Sequence, residues 1–174
     1  MQVRYDPVED RLLLQIRTRS GELFSIWLTR RMVARLWGPF LELVSTLQVA
    51  RAAPNATVSP EAREMLSQAA RERPLPRTDF ETPFQSRPVA EPLGPTPLLP
   101  EAVNLSRAQA GGLMLRLREP QGRHLEMRLG DDLATGLFRL LEKALALSDW
   151  GLAVPKADPT PTPGEEATPP RVLN

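Results

Sequence analysis

One stretch of this chain occurs twice, and no other feature restricts the fold as much. Arg11–Leu47, RLLLQIRTRSGELFSIWLTRRMVARLWGPFLELVSTL, returns without a gap at Gly112–Ser148, GLMLRLREPQGRHLEMRLGDDLATGLFRLLEKALALS, at a constant offset of 101. Leu12, Leu14, Arg17, Gly21, Leu28 and Leu36 recur identically as Leu113, Leu115, Arg118, Gly122, Leu129 and Leu137. Ile16, Phe24, Ile26, Met32, Trp37, Phe40 and Val44 recur as Leu117, Leu125, Met127, Leu133, Phe138, Leu141 and Leu145. Apart from Arg17 and Gly21 the shared positions are apolar, so the copies have a mode of packing in common, and the chain must bury two similar surfaces.

Within each copy the apolar period changes once. Leu12, Leu14 and Ile16 alternate with Leu13, Gln15 and Arg17. Arg19-Ser20-Gly21-Glu22 supplies turn chemistry, and Phe24, Ile26 and Leu28 alternate again, which predicts a hairpin with one apolar face. From Thr29, whose hydroxyl is the expected N-cap, the spacing becomes helical through Met32, Val33, Leu36, Trp37, Phe40, Val44 and Leu47. Pro39 cannot donate to the helical ladder, so a kink near Gly38-Pro39 is expected at a cost of up to about 3 kcal/mol. Copy two has Arg139-Leu140 there and should be straight. Its strands are expected at Leu113–Arg118 and His124–Leu129, and Asp131-Asp132 open its helix, where acids suit the macrodipole. Residues 2–9 alternate weakly and read as an additional first strand broken near Pro7. Val103 and Leu105 echo Val3 and Tyr5, with one residue added before the second hairpin.

Proline separates these units. Its 19 occurrences in 174 residues are about twice the usual frequency. Ser59-Pro60-Glu61 is a helix start, and Met65, Leu66 and Ala69 predict a short amphipathic helix to about Arg71. Residues 73–100 hold eight prolines and cannot form a regular element, yet Phe80, Phe84, Leu93, Leu98 and Leu99 are apolar enough to dock on a sheet. The chain thus divides into a first βββα repeat (1–50), a short helix (51–72), a Pro-rich, partly ordered linker (73–100), a second βββα repeat (101–150) and a disordered Pro-rich tail (154–174).

A three-stranded sheet carrying one helix leaves its apolar face half covered, so a single copy should not stand alone. The expected fold class is α+β: two pseudo-symmetric strand-hairpin-helix repeats pairing into one antiparallel sheet/helix domain, with their sheets joined or facing. Copies exchanged between the chains of a homodimer would satisfy the same requirement, so monomer and homodimer both stay open.

Composition narrows the chemistry. A net charge of +1 makes no bulk case for nucleic acid or anionic membrane, and zero cysteines remove disulfides and thiolate sites. The charged N-terminus and the lack of a long apolar run suggest a cytoplasmic protein with no membrane partner. Asn55-Ala-Thr57 and Asn104-Leu-Ser106 match the glycosylation pattern by chance in such a protein. The single histidine, His124, falls on the polar side of a strand with no catalytic partner at a known spacing. Glu9-Asp10, Asp131-Asp132 and Glu165-Glu166 belong to a turn, a helix start and the tail, and Gly111-Gly112 precedes a strand with no helix directly after it. No catalytic, metal or cofactor site is expected, and the protein reads as a non-enzyme.

Two features suggest binding instead. Arg30 and Arg31 lie in a first helical turn against the macrodipole, where copy two has acids. They could hold an anion, or pair internally with Asp131 or Asp132. The hairpin face opposite the core would carry Leu13, Gln15, Arg17, Arg19, Leu23, Ser25 and Trp27 in copy one, and Met114, Arg116, Arg118, His124, Glu126 and Arg128 in copy two. Cations interleaved with an indole are what a single-stranded nucleic-acid platform uses, whereas a solvated face with Trp27 covered is the plainer alternative. The candidate anion or nucleic-acid site is therefore Arg17, Arg19, Trp27, Arg30, Arg31, Arg116, Arg118 and Arg128.

The stretch RYDPVEDRLLLQIRT…FSIWLTRRMVARLWGPFLELV, with DFETPF and EPLGPTPLL after it, resembles a family of uncharacterised conserved proteobacterial proteins in which a W-L-T-R-R helix start recurs, up to about residue 150. Strands running into one helix, twice in one chain, are also similar to PUR-repeat proteins and the related transcriptional-coactivator fold. That resemblance implies paired copies and single-stranded nucleic-acid binding through the sheet, although three strands per copy are evident here where that family has four. The leading expectation is a non-enzymatic binding or scaffold protein with a protein partner, and the alternative is a single-stranded nucleic-acid binder.

Overall fold

The computed structural model describes residues 1–52, 59–72, 90–109 and 111–152. The expectations for Asn55, for Phe80 and Phe84 in the linker and for the tail lie outside the described residues. Copy one forms β1 (Gln2–Asp6), β2 (Arg11–Arg17), β3 (Leu23–Thr29) and α1 (Arg30–Ala52). After α2 (Pro60–Glu72), copy two forms β4 (Ala102–Arg107), β5 (Leu113–Arg118), β6 (His124–Leu129) and α3 (Asp131–Leu145). The fold is α+β, with two separate antiparallel sheets in the orders β1-β2-β3 and β4-β5-β6.

Both hairpins turn by the same device. The Gly21 N–H donates to Thr18 O at 3.1 Å and the Thr18 N–H to Glu22 O at 3.0 Å; in copy two, Gly122 donates to Glu119 O at 3.2 Å and Glu119 to Arg123 O at 2.9 Å. Gly21 and Gly122 sit at φ values of 89° and 93°, a backbone region that side chains resist, so the one glycine common to both copies is required by the turn. The hairpin registers then agree at the offset of the repeat, with Leu14 opposite Ile26 and Leu115 opposite Met127.

The first strands correct one expectation. Val3 pairs with Leu14, whereas Leu105 pairs with Leu115, so Leu105 is the counterpart of Val3 and Val103 is not. Copy two has one residue fewer before its hairpin rather than one more. Its turn is tighter because Ala108 and Gly112 close it, the Ala108 N–H donating to Gly112 O at 3.0 Å, with Gly111 and Gly112 at φ values of 84° and 79°.

The helices begin as their sequences direct. Thr29 Oγ1 accepts the Met32 N–H at 3.3 Å and Ser59 Oγ accepts the Ala62 N–H at 3.2 Å, capping α1 and α2. α1 continues through Pro39 and ends at Ala52, two residues past the boundary expected at residue 50. Packing is exchanged between copies: α1 lies beside β4 as well as β3, and α3 beside β1 as well as β6. Leu12, Leu14, Ile26 and Leu28 share one core with Leu113, Leu115, Leu117 and Leu129, and Val33, Phe40, Val44, Phe138 and Leu141 from the helices complete it. Trp37 and Phe138, counterparts in the repeat, stack with centroids 4.9 Å apart and planes at 9°. Such a pair adds about 0.5–1.5 kcal/mol beyond the area it buries.

Three straps join the copies. The Arg51 Nη1 donates to Asp132 Oδ1 at 2.7 Å. Past α3, the Trp150 indole N–H donates to Asp10 Oδ1 at 2.6 Å, Tyr5 OH donates to the same oxygen at 3.0 Å, and Arg30 donates to Trp150 O at 3.3 Å. These bonds hold the Asp10 carboxyl below its ordinary pKa, with the indole as the larger cause. The third strap is the end of the linker, which runs parallel to β3: Leu23 N–H donates to Ala90 O, Leu98 N–H to Ser25 O and Trp27 N–H to Leu98 O, at 2.7–2.9 Å. Leu98 is fully buried and Leu93 half-buried, as their apolar character requires, while Leu99 is 38% exposed.

Candidate functional site

The helical turn that opens α1 faces a groove rather than the rest of the core. Arg31, Met32, Arg35, Leu36 and Pro39 recur at helical spacing and form one wall. Leu99, Pro100 and Glu101 lead into the opposite wall, β4, whose residues Ala102–Leu105 line it, and the β5–β6 turn closes one end with Glu119, Pro120, Gln121 and Arg123. The space between them is about 1040 Å³. Met32, Leu36, Val103 and Leu105 pack partly against the core and give the groove an apolar floor. Arg31 and Arg35 are exposed at its rim, and neither forms an ion pair with another described residue. Among the described residues β4, the strand on that wall, pairs only with β5 and is an edge of its sheet.

An ion pair between a buried carboxylate and a partly exposed guanidinium fixes the closed end. Glu119 is 5% exposed and accepts Arg123 Nε and Nη2, both at 2.7 Å, while the Leu99 N–H donates to Glu119 Oε1 at 2.6 Å. Arg123 Nη1 reaches Leu93 O at 2.8 Å and Thr96 O at 3.0 Å. Bonding first to Arg123 and then to the Leu99 amide lowers the Glu119 pKa below the usual carboxylate range. One guanidinium thereby orders the strap, and the strap delivers Leu99, Pro100 and Glu101 to the groove.

The predicted binding residues fall in three places. Arg17, Arg19 and Trp27 belong to the first sheet, Arg17 half-buried, Arg19 exposed in the turn and Trp27 half-buried with its amide bonded to the strap. The face they share is less open than alternation implied, since Leu13 and Leu23 on it are 8% and 5% exposed. Arg116, Arg118 and Arg128 lie on the outer face of the second sheet, where Arg116 pairs with Glu126 at 2.9 Å and Arg128 Nε donates to Gly111 O at 3.1 Å. His124 sits there too, its Nδ1 3.2 Å from Gly122 O. Arg30 and Arg31 begin α1. The expected pairing of either with Asp131 or Asp132 does not form: the helices run antiparallel, so Asp132 meets the far end of α1 at Arg51, and Arg30 meets Trp150.

Arg35, Glu119 and Arg123 were not singled out by sequence. Arg35 had a signal, being four residues after Arg31 and so on the same helical face. The Glu119–Arg123 pair shows the same spacing, but across a turn, where only the fold tells that the carboxylate is buried. Among the described residues no cluster of histidine or acidic side chains could hold a metal, and no helix is long and apolar enough to cross a membrane. Comparison with known proteins finds no matching family model, no similar curated protein and no similar solved structure.

Proposed function

We propose that this chain is a non-enzymatic binding or scaffold protein, acting in the cytoplasm as a monomer or homodimer, that receives a protein partner in the groove between α1 and β4. The observation that carries the reading is the groove itself: an apolar floor and a cationic rim beside an edge strand, held in shape by the Glu119–Arg123 ion pair. Apolar floor supplies affinity and rim charge supplies orientation, the division of labour usual at protein interfaces. An approximate twofold between the copies belongs to this reading, supported by the exchanged packing and by the stacking of Trp37 on its counterpart.

A photo-crosslinking side chain placed at Pro39 in the groove, and separately at Arg118 on the outer sheet face, tests it in the native cell. Protein adducts formed at Pro39 and not at Arg118 are expected. Adducts at Arg118 alone, or adducts with nucleic acid, would count against it. The second reading, a single-stranded nucleic-acid platform, is favoured by exposed Arg118 and Arg128 on the second sheet. It is weakened by Glu126, which neutralises Arg116, and by the lack of any Phe, Tyr or Trp among the described residues of that face, which leaves only the His124 imidazole to stack a base. Anisotropy of labelled oligothymidylate at two salt concentrations decides it, since phosphate binding weakens steeply with salt.

A further inference from the structure

We propose that the groove's occupant is an extended, acidic segment of a partner protein that lies along β4 and sets its carboxylates on Arg31 and Arg35. This rests on the protein-binding reading above and adds the chemistry of the partner. The molecule already shows what the edges of its sheets accept. At β3, Ala90 and Leu98 lie alongside in parallel bridges on either side of a turn, exchanging backbone hydrogen bonds with Leu23, Ser25 and Trp27, and Leu98 is completely buried. β4 is likewise an edge, paired on one side to β5, and no described segment lies against its other side in strand form. An added strand takes its affinity from the main chain and its specificity from alternate side chains, which here would drop toward Met32, Leu36, Val103 and Leu105.

Charge selects the chemistry. Arg31 and Arg35 stand one helical turn apart on the same wall, Arg31 in the first turn, where the macrodipole is also positive. Two acids border the groove. Glu119 is already held by Arg123 and the Leu99 amide, which leaves Glu101 as the one exposed acid on its rim. The counterpart of Arg31 is Asp132, and that position has its opposite charge supplied from within the chain by Arg51. At Arg31 the described chain supplies none, so the same position calls for a carboxylate from outside. None of the groove's lining residues is aromatic, and a nucleic-acid strand would have phosphates to place but nothing to stack on.

The test uses the full chain and two fluorescein-labelled dodecapeptides, one alternating Val with Glu and one alternating Val with Gln, read by anisotropy with oligothymidylate as competitor. The acidic peptide should bind about tenfold or more tightly than its neutral twin, lose about tenfold on Arg31→Glu or Arg35→Glu, and be indifferent to Arg19→Glu on the remote turn. Equal binding of both peptides, or undiminished binding by the Arg31→Glu and Arg35→Glu variants, overturns the proposal. So does oligothymidylate displacing the acidic peptide more effectively than unlabelled acidic peptide does. If the neutral peptide binds as well and crosslinks at Pro39, the groove remains a protein site and only the acidic partner is lost. The variants are expected to fold, since both arginines are exposed, and far-ultraviolet circular dichroism checks this.

Discussion

Trp37 and Phe138 occupy the same place in the two copies, yet they are not equally suited to it. The Trp37 indole nitrogen is buried with no hydrogen-bond partner among the described residues, a cost of about 1–3 kcal/mol that its phenylalanine counterpart escapes. Trp37→Phe should therefore change stability by less than about 1 kcal/mol in either direction, while Trp37→Ala should cost about 3–5 kcal/mol, both measured by urea denaturation. Gly112 lies at the opposite extreme of tolerance. Its φ is positive, and a Cβ there would collide with the carbonyl oxygen of Leu129, a backbone atom that cannot swing aside. Gly112→Ala should destabilise by about 2–4 kcal/mol in the same assay, and a loss below about 1 kcal/mol would show that the β4–β5 turn can re-form.

At the scale of elements, the strap and its clamp give a pH dependence with a definite sign. Glu119 has its pKa lowered in the folded protein, so it contributes stability above the ordinary carboxylate pKa, and that contribution is lost as pH falls through the lowered folded value. Between pH 7 and pH 3 the wild-type chain should lose more stability than Glu119→Gln does, and parallel losses would remove Glu119 from the account. Arg123→Met should free Ala90–Leu99, seen as faster amide hydrogen exchange at Leu98 and Trp27, with the second hairpin less affected. The elements themselves were legible in the chain, because apolar period, the Thr29 and Ser59 caps and the shared turn glycine all act within a few residues. The groove was not. It is made where α1 meets β4, two elements about 70 residues apart whose register turned on a turn one residue shorter than that of copy one and two shorter than expected. The candidate cations were visible as residues, but only Arg31 among them lies in the groove, since alternation tells which side of a strand a residue takes and not what stands across from it.

For the whole molecule, the exchange of packing means that neither copy holds a complete core. α1 without β4, or α3 without β1, leaves buried leucines facing water, and residues 1–52 or 101–152 expressed alone should show no cooperative unfolding transition, whereas the full chain should show one. Two transitions in the full chain would mean that the copies are independent units. The straps act at the same scale: removing the Trp150 indole N–H with Trp150→Phe should cost about 1–2 kcal/mol although it alters only one bond to Asp10.

Arg51 on Asp132 has one more consequence. Two identical chains meeting face to face must give both partners the same side chain at every position, so a groove at one end is mirrored by a groove at the other. Joining the copies in a single polypeptide lifts that obligation. The same position can then be an aspartate closed off by an arginine at one end and an arginine left at an open rim at the other. What the linkage confers is polarity: two units with the same order of strands and helix can carry opposite charges at one position and so give the molecule a front and a back.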